Sequence, residues 1–157
     1  MSVKTVKEYL RPFGLEQKVI EFSVSSATVA EAALALDCEP ARIAKTMSFL
    51  TREGPILIVT AGDEKIDNHK YKEQFHEKAR MIPSSEVETL TGHPPGGVCP
   101  FGNPPGVKVY LDISLKRFTL VYPAAGSGQS AVKLEIPELE KAAHPEGWVD
   151  VCKGAAC

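Results

Sequence analysis

The sequence contains no long apolar run and no hydrophobic leader. No stretch approaches the ~20 consecutive apolar residues that a membrane-spanning helix needs. The first residues, Met1 to Lys7, include none of the apolar core that a secretory signal carries. These absences predict a cytoplasmic protein that does not enter a membrane.

A strong charge of either sign is also missing. The 18 Lys and Arg residues are offset by 20 Asp and Glu residues, and the formal net charge is −2. This balance excludes a general positive field of the kind that holds DNA or RNA non-specifically. Any contact with RNA must therefore be local. Lysines between residues 63 and 80 are candidates for it, although such lysines more often form only a solvated helix face: Lys65, Lys70, Lys72 and Lys78.

Paired metal ligands and nucleotide-binding motifs are absent as well. None of the four cysteines forms a CxxC pair, and the four histidines add no matching ligand spacing. We therefore interpret the cysteines as reduced thiols and expect neither a metal nor another cofactor. The turn Gly126-Ser127-Gly128 lacks the GxxxxGK[ST] and GxGxxG patterns, so a nucleoside triphosphate site is not expected there.

What the sequence does contain is a succession of helix and strand signals. Capping boxes at Thr28/Glu31 and Ser85/Glu88 predict two helix starts, the first of them for a helix over Val29–Leu36. Strand-like patterns are centred near residues 20, 48, 58, 109, 120 and 133. We expect a single domain, residues 1–157, of the mixed α/β or α+β class, with a distorted mixed sheet or barrel of about six to seven strands surrounded by helices.

Other helix signals lie near both ends and in the middle of the chain. An amphipathic helix is predicted for Val3 to Leu10 behind a possible Ser2 cap, and a closing helix for Pro137 to Ala143. Between residues 63 and 80, the aromatic residues Tyr71 and Phe75 and then Ala79 recur at helical spacing.

The strongest strand signals predict a β-hairpin. The runs Thr46–Thr51 and Pro55–Ala61 are rich in apolar and β-branched residues. A short helix from Pro40 to Ala44 is expected before them, which places Lys45 at the entrance of the hairpin. Such a lysine is usually held by a carboxylate or extends to solvent. The alternative is an ammonium directed into a cleft, where it can bind a phosphate or stabilise charge on an ester carbonyl.

A loop rich in glycine and proline lies between Gly92 and Gly102. Adjacent Gly96 and Gly97 allow the backbone to approach a ligand and to turn its N–H groups outward. The loop is therefore either a wall of backbone donors around a carbonyl or phosphate, or a plain surface connection. Cys99 and His93 add a third option, a thiol nucleophile with its base, but no orienting third group is apparent.

Three segments together resemble a known family. They are Ala44-Lys45-Thr46-Met47, the loop Gly96-Gly97-Val98-Cys99-Pro100-Phe101-Gly102, and a turn centred on Gly126 before a strand. This combination is similar to the YbaK/EbsC family of editing domains associated with prolyl-tRNA synthetase. The resemblance extends over roughly Val3 to Val151.

The resemblance implies a compact α/β domain whose sheet closes into a distorted barrel. It also implies a free-standing hydrolase that removes a wrong amino acid, such as cysteine or alanine, from transfer RNA, typically tRNA for proline, with no metal. The implied partners are the aminoacyl-tRNA acceptor end and prolyl-tRNA synthetase. By the same resemblance Lys45 is the catalytic side chain and the remaining site residues bind substrate: Thr46, Gly96, Gly97, Val98, Cys99, Pro100, Gly102, Gly126 and Ser127.

Two alternatives to this function remain at the level of sequence. The same scaffold could form a non-catalytic module that binds tRNA ends or the synthetase, because a fold does not by itself imply an activity. A Cys–His hydrolase acting on a small ester is the other alternative.

Overall fold

The computed structural model describes residues 2–154, which form five α-helices and eight β-strands. The helices are α1 (Ser2–Leu10), α2 (Val29–Leu36), α3 (Asn68–Phe75), α4 (Ser84–Thr91) and α5 (Ile136–Ala143). The strands are β1 (Val19–Glu21), β2 (Ile43–Thr51), β3 (Gly54–Ala61), β4 (Lys108–Asp112), β5 (Leu120–Pro123), β6 (Ser130–Val132), β7 (Leu134–Glu135) and β8 (Gly147–Val149). Cys157 lies outside the described residues. Within them, none of the helices has the length and apolar character needed to cross a membrane.

Six of the strands form one mixed sheet in the order β7-β5-β2-β3-β4-β8. The central pair, β2 and β3, is an antiparallel hairpin, flanked by β5 and β4 in parallel orientation. β1 and β6 form a separate antiparallel pair. The main sheet curls into a half-barrel, which confirms the mixed α/β class expected from the sequence.

The hairpin lies at the centre of the sheet because β3 is apolar along most of its length. Its residues Ile56, Leu57, Ile58 and Val59 are at most 3 % exposed. Leu57 and Val59 belong to the largest group of buried side chains, whereas Ile56 and Ile58 belong to a second group on the opposite face. A continuous run of β-branched and aliphatic residues is the pattern of a strand buried on both faces, as the sequence predicted.

Two helices cover one face of β2 at its two ends. At the start of the strand, Ala32 of α2 packs with Ile43. Further along, the rings of Phe49 and of Tyr71 in α3 lie 5.1 Å apart. Alternate residues of a strand share a face, so Lys45 is on the same face as Ile43 and Phe49. Lys45 therefore lies between the positions that α2 and α3 cover.

The predicted start of the hairpin was wrong by three residues. Only Pro40–Arg42 form a helical turn, and β2 already begins at Ile43. The reason is long-range pairing, because Ile43 and Ala44 pair with Tyr122 and Pro123 of β5. Lys45 is consequently the third residue of a central strand and not a junction residue.

Two helix predictions were also wrong in detail. The helix containing Tyr71 ends at Phe75, because His76 adopts a left-handed conformation with φ of 60°, so Ala79 is not helical. The helix predicted to start at a Ser85 cap instead begins at Ser84 after Pro83, and no side chain caps it.

The strand predicted over Ala131 to Ile136 is two strands. β6 pairs with β1, whereas β7 pairs with β5 of the main sheet. Between them Lys133 donates its backbone N–H to the carbonyl of Lys18. The alternating pattern is continuous, but its two halves pair with different strands.

We expect Thr28→Ala to lower the free energy of unfolding by about 1 kcal/mol, within the usual range of about 0.5–2 kcal/mol for a lost N-cap. The Thr28 hydroxyl accepts the Glu31 N–H, and the Glu31 carboxylate accepts the Thr28 N–H in return. Urea unfolding followed by circular dichroism measures the loss. Ser85→Ala is the matched control and should change stability by less than about 0.5 kcal/mol, because Ser85 is exposed and caps nothing. Equal losses in both variants would contradict this assignment.

Candidate active site

A cleft of about 160 Å³ opens at the start of β2, where the strand pairs with β5. One wall is the start of α2 and the loop before it, from Ser26 to Val29. Lys45 and Thr46 of β2 line it as well, and Gly96 and Val98 form another part of the wall. The cleft thus brings together two segments that lie about fifty residues apart in the sequence.

Lys45 is half-buried at this cleft. Its ammonium donates a hydrogen bond to the backbone carbonyl of Glu64, and within residues 2–154 no carboxylate oxygen lies within 4.0 Å of it. Burial lowers the pKa of Lys45, while the carboxylates of Asp63 and Glu64 act in the opposite direction. An ammonium has three N–H donors. The Glu64 carbonyl accepts a hydrogen bond from one of them, which leaves the other N–H groups to bind a ligand.

The loop that contains Glu64, whose carbonyl binds the Lys45 ammonium, is fixed by contacts with the segment near the C-terminus. Glu64 is only 4 % exposed, and its carboxylate accepts the Gly154 N–H at 3.0 Å. Asp67 donates its backbone N–H to the carbonyl of Val151 at 2.8 Å. These contacts fix the position of the Glu64 carbonyl, which accepts the hydrogen bond from the Lys45 ammonium. Nothing in the sequence pattern indicated this role for Glu64.

Thr46 presents a buried hydroxyl to the same region. Its Oγ1 is inaccessible to solvent and has no hydrogen-bond partner among the described residues. Leaving such a group unsatisfied costs about 1–3 kcal/mol.

The glycine loop is wedged between two other segments. Gly96 has a φ of +87°, and a Cβ at this position would lie 2.9 Å from the Cβ of Ala27. A Cβ on Gly97 would lie 2.5 Å from the backbone nitrogen of Ser127. Only glycine fits at either position, so the loop approaches the Ala27 segment and the Gly126 turn more closely than any other residue would permit.

The backbone N–H groups of this loop are not equally available. Gly97 donates its N–H to the carbonyl of Pro94 at 2.9 Å, which closes a turn. For Val98 and Cys99, no acceptor of the N–H is present among residues 2–154. Of these two residues only Val98 lines the cleft, so its N–H is the loop donor that could bind an oxygen atom there.

Cys99 and His93 are adjacent but closed off from solvent. Both are 0 % exposed, and Sγ lies 3.5 Å from Nε2 of His93, which also donates to the carbonyl of Phe101 at 2.7 Å. Burial raises the pKa of the Cys99 thiol to about 12 and lowers the pKa of His93. The two side chains are therefore adjacent in space, but a protonated thiol inside the core is poorly suited to act as a nucleophile.

The remaining residues singled out in the sequence lie behind or beside the cleft wall. Gly126 and Ser127 contact Gly97 from behind. Pro100 is buried, and a Cβ on Gly102 would lie 3.1 Å from the side chain of Thr5 in α1. These residues support the loop and do not line the cleft.

The sequence from residue 24 to residue 142 matches the family described as the aminoacyl-tRNA editing domain. The chain belongs to this family.

This editing domain is similar to three known proteins. It is 49 % identical over 155 residues to the uncharacterized protein YwhH of Bacillus subtilis (strain 168), covering 98 % of both chains. It is 25 % identical over 128 residues to the proline–tRNA ligase of Bacillus licheniformis, which is 81 % of this chain but 22 % of the ligase. Its structure superimposes with a TM-score of 0.88 and 28 % identity on a candidate trans-editing enzyme for prolyl-tRNA synthetase, covering 98 % of both chains.

Sequence reasoning missed several residues that line the cleft of the editing domain. Ser26 and Ser130 are buried, and the hydroxyl of Ser26 donates to the carbonyl of Ser130. Tyr122 lines the cleft from β5. The capping box at Thr28 did mark the start of α2, but a local signal cannot tell which surface the helix start faces.

Gly97→Ala should destabilise the editing domain by about 1–3 kcal/mol, the usual cost of overpacking. The added methyl group would meet backbone atoms of Gly126 and Ser127, which cannot rotate away as a side chain could. Chemical denaturation measures the change. Gly147→Ala is the matched control, because a Cβ there would meet nothing within 4 Å, and it should leave stability unchanged or slightly raised. Unaltered stability of Gly97→Ala would disprove the close approach of the two loops.

Cys99 should resist alkylation by iodoacetamide in the folded protein. With a pKa of about 12, its thiolate fraction at pH 8 is about 10⁻⁴, and the sulfur is also inaccessible. Peptide mass spectrometry after timed labelling at pH 8 measures the rate, with partly exposed Cys38 as the internal reference. In denaturant both cysteines should react at similar rates. Rapid labelling of Cys99 in the native protein would revive the thiol-nucleophile alternative.

Proposed function

We propose that this protein is a free-standing deacylase that hydrolyses the ester bond of mischarged aminoacyl-tRNA, with tRNA for proline as the expected carrier. The observation that carries the proposal is Lys45, a half-buried ammonium with unused donors at a cleft of an aminoacyl-tRNA editing domain. The proline-type carrier is supported by similarity to a proline–tRNA ligase and to a candidate trans-editing enzyme for prolyl-tRNA synthetase. Alignment with the latter over 98 % of both chains supports a domain acting on its own.

Lys45 has the role of binding an oxygen atom of the terminal adenosine. One donor of its ammonium remains on the Glu64 carbonyl, which fixes the direction of the side chain. The other donors bind a phosphate or ribose oxygen of the substrate. A charge-assisted hydrogen bond of this kind is roughly twice as strong as one between neutral groups. The partly buried position strengthens it further, since water screens it less.

The backbone of the glycine loop has the role of polarising the ester carbonyl. Because the Gly97 N–H is occupied by Pro94, this task falls to the N–H of Val98, which lines the cleft. A preorganised donor of this kind typically contributes ~10²–10³ in rate. Gly96 and Gly97 contribute by holding the loop against Ala27 and Ser127, so that the donor need not reorganise during the reaction.

The reaction is addition of water to the ester carbonyl carbon, followed by cleavage of the bond to the ribose oxygen. The products are the free amino acid and a tRNA whose ribose hydroxyl is restored. Neither Cys99 nor His93 takes part, because both side chains are enclosed in the core. A hydroxyl of the substrate itself, such as that of the ribose, is the group that we expect to orient the attacking water.

The amino acid removed is expected to be small and wrong for the tRNA, with cysteine and alanine as the first candidates. A cleft of about 160 Å³ suits a side chain of this size. Selection by size alone is limited, since one methylene group changes the rate only ~10–200-fold. That limit is the physical reason for a separate hydrolytic check after aminoacylation.

The test is single-turnover deacylation of tRNA for proline charged with cysteine, alanine or proline. The wild-type protein should hydrolyse at least one wrong ester and spare the prolyl ester. Lys45→Ala should lower that rate by about 10²–10³-fold, as expected for loss of a charge-stabilising donor. Lys141→Ala, an exposed helical lysine, is the matched control and should keep the wild-type rate.

Two results would overturn this proposal. Binding of the tRNA without hydrolysis of any ester, with or without the synthetase, would favour a non-catalytic module that binds tRNA ends. Full activity of Lys45→Ala would show that the ammonium is not part of the chemistry.

A further inference from the structure

Cations that no carboxylate neutralises lie along the surface of α3 and its flanking loops. The chain as a whole carries a net charge of −2, yet residues 65–80 contain five Lys and Arg residues against three Asp and Glu residues. The local excess is therefore positive in a protein that is otherwise negative.

Each acidic residue of this segment has a contact of its own, although the histidine partner of Glu73 carries a charge only when it is protonated. Asp67 caps α3 through the N–H groups of His69 and Lys70, and Glu73 lies 2.8 Å from the ring of His69. Glu77 contacts Arg52, and Lys70 contacts Asp150. Four exposed cations remain for which no carboxylate oxygen lies within 4.0 Å in the described part of the chain: Lys65, Lys72, Lys78 and Arg80.

Two of these cations line the same groove. This α3 groove, of about 420 Å³, is lined by Asn68, His69, Lys72, Lys78 and Ala79. Lys72 belongs to α3 and Lys78 to the loop that follows. The left-handed residue His76 ends the helix between them and turns the chain back. The result is a concave basic surface, unlike the convex solvated face that a run of helical lysines usually forms.

The α3 groove lies on the same side of the sheet as Lys45. α3 packs on Phe49 through Tyr71, and Phe49 shares its strand face with Lys45 four residues earlier. Four residues of strand span about 13 Å. The loop whose Glu64 carbonyl binds the Lys45 ammonium also leads directly into the start of α3 at Asn68.

We propose that the α3 groove binds the phosphate backbone of the tRNA acceptor end, a few nucleotides from the terminal adenosine in the cleft. This inference rests on the proposed function, because it assigns a surface to the same substrate. Lys72 and Lys78 act as point charges on successive phosphates, which gives affinity without reading sequence. Charge complementarity supports this occupant, since the groove offers unpaired cations and a polynucleotide offers a regular row of anions.

The test compares two doubly substituted proteins for binding of uncharged tRNA for proline. Lys72→Ala/Lys78→Ala removes the two groove cations. Lys4→Ala/Lys141→Ala removes two exposed helical lysines that also lack a carboxylate within 4.0 Å among the described residues, and thus the same net charge. The dissociation constant is measured by fluorescence anisotropy between 50 and 200 mM salt. Circular dichroism checks that both variants are folded.

We expect the groove variant to bind about tenfold more weakly at 100 mM salt. The plot of log association constant against log salt concentration should also become less steep by about 2. Each phosphate contact that is lost removes about 0.9 from the size of the slope. Lys72→Arg/Lys78→Arg keeps both charges and should bind like the wild type. The control variant should show neither change.

Equal weakening in the groove and control variants would overturn the proposal, because it would mean that only net charge matters. Wild-type affinity in the groove variant would overturn it as well. Binding of uncharged tRNA involves no ester hydrolysis, so a failure of this inference can be told apart from a failure of the proposed deacylase activity.

Discussion

Burial of β3 on both faces of the sheet is the constraint on which the rest of the structure depends. A strand with at most 3 % exposure at four successive positions must lie at the centre, and its hairpin partner β2 is fixed with it. Burial of each such side chain stabilises the fold by roughly 1.5–3 kcal/mol. Since Lys45 is part of β2, the candidate catalytic side chain is carried by a central strand of the sheet and not by a loop.

Two features of the environment of Lys45 act in opposite directions on its charged form. Burial disfavours the ammonium, whereas the Glu64 carbonyl and nearby negative charges favour it. A lysine at a well-packed strand position would usually be replaced by an apolar residue if stability alone mattered. Its position between the sites that α2 and α3 cover leaves an opening on an otherwise covered face. A perturbed pKa combined with a cleft is the pattern that functional groups show more often than structural ones.

The glycines of the loop allow its backbone to pack closely against neighbouring segments. Their role is not to make the loop flexible. Gly96 and Gly97 lie so near Ala27 and Ser127 that a single added methyl group would collide with them. The buried side chains of Cys99 and His93 anchor the loop itself in the core. A loop packed on both sides can hold backbone N–H groups in a fixed direction, which is what stabilisation of a developing negative charge requires. The thiol that first suggested nucleophilic chemistry is thus part of the support.

The sequence by itself determined those features of the fold that depend only on residues close together in the chain. The α2 cap at Thr28 and the buried character of β3 follow from local hydrogen bonding and continuous hydrophobicity. The segments around Lys45 and Gly96 were also enough to suggest the family. Only the tertiary structure decided the early start of β2, the division of the Ala131 to Ile136 run between two sheets, and the contact of Lys45 with Glu64. Each of these depends on pairing between residues far apart in the chain, and such pairing leaves no periodic trace in the local sequence.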